Sequence, residues 1–222
     1  MRSMRSKSLL VATFGTGVLF IASAISVGTA PDANDSGTRV VQWFRENGTR
    51  VRWSVWFLAI SMISFAVFAS LIRSRLPRPH RDVFFFGAVT LVAESIIQAW
   101  ILAALAWHTS SLEPGTARML LDVADYWGPL LTTATVLMLS PIALLAFHEE
   151  AGLPRWLAVI SGITVAEQLI ETVTIFGRSG FIAPGGPMNL QLGAGLTLLA
   201  LGATGIVLAS KGRQNDDARR AT

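Results

Sequence analysis

The chain has 222 residues, 52% of them hydrophobic and only 14% charged, with 18 Lys and Arg against 14 Asp and Glu. Soluble domains carry about 25% charged residues, so this is too little charge to coat a soluble globule, and the chain is too apolar to be disordered. With no cysteine, a disulfide scaffold and thiol chemistry are excluded. The basic residues behind the net charge of +4 do not form one face, which argues against a nucleic-acid binder.

A membrane helix needs about 20 mostly apolar residues. Six stretches qualify, at 9–30, 54–72, 83–107, 130–147, 156–177 and 190–210. The first, second, fourth and sixth contain no ionisable residue. The fourth carries Pro141, where a kink is expected. The first span has an alternative reading. Arg2, Arg5 and Lys7 precede an apolar run that ends on Gly28-Thr29-Ala30, a pattern compatible with a cleaved signal peptide and five remaining spans. A signal core runs about 7–15 residues, and 9–30 is longer, which favours a retained helix. These spans use most of the chain and leave one integral membrane domain, an all-α polytopic bundle of six spans.

Orientation follows from the Lys and Arg beside the span ends. With the N-terminus in the cytoplasm, the inner segments hold twelve of the 18 basic residues and the outer segments six. The bias favours both termini in the cytoplasm. Trp53, Trp56, Trp107 and Trp127 fall at outer ends and Trp156 at an inner end, as an aromatic belt requires.

The loops are short. Segment 31–52 begins polar and turns mixed around Val40, Val41, Trp43 and Phe44, which predicts a turn followed by an amphipathic helix on the outer surface. Asn47-Gly48-Thr49 fits a glycosylation acceptor but has no use in a bacterial membrane. In 108–128, Ser110 or Ser111 with Pro114 predicts a turn before a short interfacial helix. Arg73, Arg75, Arg78 and Arg81 crowd the connection 73–82, for which topology is sufficient explanation. The charged tail from Lys211 is expected to fray.

The chemistry lies in carboxylates placed where lipid should be. Glu94 sits near the middle of the third span with Gln98 one turn on. Ser161, Thr164, Glu167, Gln168, Glu171 and Thr174 share one face of the fifth. Lipid cannot solvate that stripe, so it faces the bundle interior or a wet cavity. A charged acid at mid-membrane costs roughly 2.5–3.5 kcal/mol, and three would cost about 8–10 kcal/mol. No Lys or Arg lies within a span. Arg178 is about 10 Å along the helix from Glu171 and can snorkel inward only in part. The acids can therefore take up protons, hold a cation or small cationic ligand, or line water. The bland alternative is that Glu and Gln side chains tie helices together through hydrogen bonds.

The third and fifth spans also echo one another. Val92-Ala93-Glu94-Ser95-Ile96-Ile97-Gln98 matches Val165-Ala166-Glu167-Gln168-Leu169-Ile170-Glu171 at four of seven positions, and Leu-Pro-Arg precedes both copies. A parallel repeat would bring equivalent acids to a pseudo-symmetric interface; chance matching of short apolar runs would not.

Other chemistry finds no support. Glu149-Glu150 with Arg155 is similar to the paired glutamates of membrane-embedded prenyl-type proteases, but Pro154 occupies the position that pattern gives to its arginine, and intramembrane histidines are lacking. His80, His108 and His148 all lie at span ends, so no metal or haem site is expected. Ser179 has no histidine base within reach. No catalytic set or cofactor is predicted. Gly195 and Gly202 share a face of the sixth span, as Gly15 and Ala22 do in the first, and are expected to permit close helix packing.

Gly152-Leu153-Pro154-Arg155-Trp156-Leu157 opens the fifth span, and Gly180-Phe181-Ile182-Ala183-Pro184-Gly185-Gly186-Pro187-Met188 precedes the sixth. Together they resemble a group of six-span bacterial membrane proteins, common in actinobacteria and known as a domain of unknown function. The resemblance covers the chain best from about Trp127 onward. It implies a helical bundle in the cytoplasmic membrane and brings no activity or catalytic residues. On its own chemistry, 183–187 is a rigid non-helical turn over the outer end of the bundle.

The site expected from these residues is a polar core of Glu94, Gln98, Thr164, Glu167, Gln168 and Glu171, serving proton- or cation-linked transport or ligand sensing. The alternative is a non-catalytic assembly or regulatory subunit whose stripe is completed by a partner helix or a second copy of the chain.

Overall fold

The computed structural model describes residues 2–220, with side-chain surroundings described for 6–211. Arg2, Arg5 and the charged tail beyond Lys211, which enter the orientation argument above, lie outside those surroundings. Among the described residues every regular element is helical. Six helices are long and apolar enough to cross a membrane: Ser6–Val27, Gly37–Arg73, His80–Trp107, Pro114–Phe147, Arg155–Phe176 and Met188–Lys211. The continuous α-helices are α1 (Arg2–Val27), α2 (Gly37–Arg73), α3 (His80–Trp107), α4 (Pro114–Asp125), α5 (Trp127–Phe147), α6 (Arg155–Glu171) and α7 (Ala194–Arg220).

The six spans form a ring. α1 packs on α2 and α7, α2 on α3, α3 on α5, and α5 on α6, while α6 and α7 meet over a thinner seam. Phe84, Met138, Leu139 and Ile142 are fully buried at the α3–α5 side, and Phe65 stacks on Phe68 at 5.7 Å on α2. Small and hydroxylated residues fasten α1 to α2. Ser61 Oγ donates to Thr16 O at 3.1 Å, Ser64 Oγ to Ala12 O at 3.2 Å, and Ser23 Oγ to Ser54 O at 2.9 Å. Gly15 serves this contact, since a Cβ there would stand 3.0 Å from Ser64 Oγ. Between membrane helices, such close approach and interhelical hydrogen bonding replace the hydrophobic drive of water.

The second span differs from expectation. Segment 31–52 does not hold a separate surface helix. α2 starts at Gly37, capped by Ser36 Oγ accepting from Arg39 N at 3.2 Å, and runs unbroken for 37 residues, about 55 Å. Its first part buries Val40, Val41, Trp43, Phe44 and Val51 against Leu105 and Ala106 of α3 and Ala117 and Leu121 of α4. The apolar residues that suggested an interfacial face are a second, smaller core. Asn47 is part of this helix, donating its amide to Trp43 O at 3.0 Å.

α4 is the short helix expected after the turn at Pro114. Its cap is Glu113, which accepts from Thr116 N at 2.8 Å, and the expected turn precedes it, with Ser111 N donating to His108 O at 3.1 Å. Arg118 on α4 reaches Asp122 at 2.5 Å and Asp32 O at 2.9 Å, tying the first loop to the second. At the opposite end of the bundle, Arg155 pairs with Glu149 at 2.7 Å and Arg73 with Asp82 at 3.0 Å.

Candidate functional site

The stripe on α6 faces inward along its length. Ser161, Thr164 and Thr174 are fully buried, and Glu167, Gln168 and Glu171 nearly so. Thr164 Oγ1 is consumed locally, donating to Ile160 O at 2.9 Å. Gln168 joins the two acids on its own helix: its Nε2 donates to Glu167 Oε2 at 3.0 Å and to Glu171 Oε2 at 2.6 Å.

The other half of the cluster comes from a residue that the sequence reasoning missed. Asn189 Nδ2 donates to Glu171 Oε1 at 2.5 Å and lies 3.3 Å from Thr174 Oγ1. Its Oδ1 accepts from Gly185 N at 3.1 Å, which fixes the Gly/Pro turn to the acid below it. Two readable signals marked this position: an amide at the mouth of an apolar span, and Gly193 four residues on, one turn along a helix.

Both helices leave α geometry at the cluster. After Glu171 the chain tightens into a 3₁₀ segment, Thr172–Phe176, and the sixth span opens as a π-helix, Met188–Gly193. π-turns occur mostly as single turns and often at functional sites. Two glycines make the room. A Cβ on Gly193 would overlap the Glu171 carboxylate, and one on Gly128 would come within 2.6 Å of Asn189 Cγ.

Glu94 and Gln98 do not join this group. α5 packs between α3 and α6. Gln98 Nε2 donates to Ala124 O at 3.2 Å, at the end of α4. Glu94 Oε2 is buried and has no hydrogen-bond partner. The two echoed segments therefore occupy corresponding helices but make different contacts. No described Lys or Arg pairs with Glu94, Glu167 or Glu171, and Arg178 is exposed.

Gln168, Glu171 and Asn189 form the polar wall of an interior cavity of about 520 Å³ lined by residues of all six spans. The remaining wall is largely apolar, including Met62, Phe65, Phe68 and Leu201. Thr16, Ser95, Trp127 and Thr135 line it too, and the Thr16, Ser95 and Thr135 hydroxyls and the Trp127 indole N–H have no hydrogen-bond partner in the protein. Gly195 and Gly202 face this space: nothing lies within 4 Å of a Cβ built on either. They do not serve the close packing expected of them. That contact is made by Gly205, which packs on Thr13 of α1 and Phe68 of α2: a Cβ there would overlap Thr13 Oγ1 and stand 2.9 Å from Phe68 Cε2. Among the described residues no group of three His, Asp or Glu could hold a metal ion.

Six apolar helices arranged around a cavity with a carboxylate on its wall define a multi-pass helical membrane protein. Comparison of the chain with known protein families, characterised proteins and solved structures finds no match to any of them.

Proposed function

We propose that the chain is a membrane-embedded binding protein, a small transporter or sensor, that holds a cationic ligand or a proton at Glu171 from within the bundle. The observation that carries this reading is the position of the Glu171 carboxylate on the wall of a cavity of about 520 Å³ with no cation paired to it. Cavities of roughly 300–1,000 Å³ are the size that takes small ligands. An intramembrane acid without a counter-ion is costly enough to mark a functional site. Asn189 and Gln168 each donate to one Glu171 oxygen, which fixes the carboxylate in place, and neither supplies positive charge. Glu167, linked through the same Gln168 amide, adds a second acid behind the first. A cation or a proton neutralises the pair.

The test is binding of ethylammonium, with pH titrated, to the purified protein in lipid nanodiscs. The wild type is expected to bind in competition with protons, and Glu171→Gln to lose at least tenfold in affinity. Equal behaviour of the two proteins, with a stoichiometric membrane partner co-purifying, would replace the binding reading with that of an assembly subunit.

A further inference from the structure

The cavity is not sealed from the sides of the bundle. Among the residues that line it, the exposed ones belong to two helices only: Phe14, Val18 and Ile21 on α1, and Gly195, Leu199 and Ile206 on α7. In a ring of spans, that surface faces the bilayer. The opening is thus a slit between the first and last spans, below the contact of α1 and α2 at Ser23 and Ser54. The cavity's long dimension follows the sixth span, whose lining residues run from Asn189 to Ile206, about 25 Å, and the slit closes at its far end, where α1 meets α7 at Thr13 and Gly205. The polar end is at Gln168, Glu171 and Asn189. The rest of the slit is walled by aliphatic and aromatic side chains and by the open faces of Gly17, Gly195 and Gly202, where a Cβ would meet nothing within 4 Å.

We propose that this cavity takes a single-chain amphiphile with a protonated amine head group, which enters from the bilayer between α1 and α7, sets its ammonium at Glu171 and lays its hydrocarbon chain along α7. This rests on the reading of Glu171 as the ligand-binding acid. The charge decides the head: two linked carboxylates without a cation attract an ammonium and repel a carboxylate or phosphate. The walls decide the tail. A small hydrophilic cation would leave the Gly17, Gly195 and Gly202 region without contacts, whereas a chain fills it. Lateral entry also keeps the tail in hydrocarbon throughout.

The experiment compares dodecylammonium with ethylammonium, each measured against protein-free nanodiscs of the same lipid. Referred to the aqueous concentration, each added methylene buried is expected to tighten binding roughly fourfold, to one saturable site per chain. Glu171→Gln is expected to weaken both ligands at least tenfold. Gly195→Leu and Gly17→Leu fill the slit from opposite helices, at positions with room for the side chain. Each is expected to weaken dodecylammonium at least tenfold and leave ethylammonium unchanged, with melting temperature confirming that the variants fold. If both leucine variants bind dodecylammonium like the wild type, or if the longer chain brings no saturable gain, the amphiphile proposal is overturned while the Glu171 site stands. If Glu171→Gln leaves ethylammonium binding unaltered, the site reading itself falls.

Discussion

Gly193 lies so close beneath Glu171 that a Cβ on it would overlap the carboxylate oxygen and come within 2.8 Å of Gln168 Nε2. The π-turn of the sixth span and the buried acid of the fifth therefore specify one another. Gly193→Ala is expected to destabilise the protein by about 1–3 kcal/mol, the usual cost of overpacking, read as a lower melting temperature in detergent. The double variant Gly193→Ala/Glu171→Ala removes the overlap and should recover much of that loss while binding no ethylammonium. A Gly193→Ala protein as stable as the wild type would mean that the ends of Glu171 and Gln168 move aside for the methyl group and that the glycine is not required by the acid.

Asn189 joins the Gly/Pro turn to Glu171, so truncating it has consequences at both ends. Asn189→Ala leaves the Gly185 N–H and Glu171 Oε1 without their partners, at a cost of about 1–3 kcal/mol for buried groups. The Gly185 amide should lose protection in hydrogen exchange, and cation affinity should fall. Asn189→Asp, which turns the donor into an acceptor beside the acid, should be the more severe change.

The first part of α2 predicts a core substitution in the smaller apolar cluster. Phe44 is fully buried and meets Trp43 edge to face at 5.0 Å. Phe44→Ala is expected to cost about 3–5 kcal/mol, the range for deleting a buried aromatic side chain. An amphipathic helix lying on the membrane would lose far less, so unfolding of this one variant distinguishes the two arrangements.

At the cap of α4, the Gly115 and Thr116 N–H groups hold the Glu113 carboxyl below its ordinary value of 4.5. A group whose folded value is depressed adds stability above its unfolded value and loses it as pH falls through the folded one. Protection of the Thr116 amide is therefore expected to be constant above about pH 5 and to decline below 4.5 toward the depressed folded value. Glu113→Ala should show the low protection at every pH. A decline that begins near neutrality would assign it to another group.

Because the chain has no cysteine, each introduced one reports its own side of the membrane. With both termini in the cytoplasm, Arg39→Cys and Arg178→Cys should react with an impermeant maleimide in intact spheroplasts, and Arg78→Cys only after lysis. All three positions are exposed. The reverse pattern would invert the topology.

The six spans were legible from sequence because burial in a bilayer needs only uninterrupted apolar length, a one-dimensional signal. The inward stripe on α6 was legible for a related reason: helical periodicity puts 161, 164, 167, 168, 171 and 174 on one side. The first part of α2 was not. Residues 37–52 are polar enough to read as loop and surface, and only the packing of α4 and the end of α3 against them makes Val40 and Phe44 a core. Gly195 and Gly202 show the same ambiguity. Equal spacing on one face serves a close contact or an open cavity, and the neighbouring helix decides which.

The amino-acid sequence by itself determined that this is a helical membrane protein of six spans with unpaired acids inside them, because propensity, periodicity and hydropathy are local properties. The tertiary structure alone decided which acids act together. Glu94 and Glu167 look equivalent along the chain, yet α5 stands between their helices, and Glu171 finds its partner in Asn189, 18 residues away. Convergence of side chains from different helices depends on the order of helices around the ring and on the irregular turns at Glu171 and Gly193, which no pattern of spacing encodes.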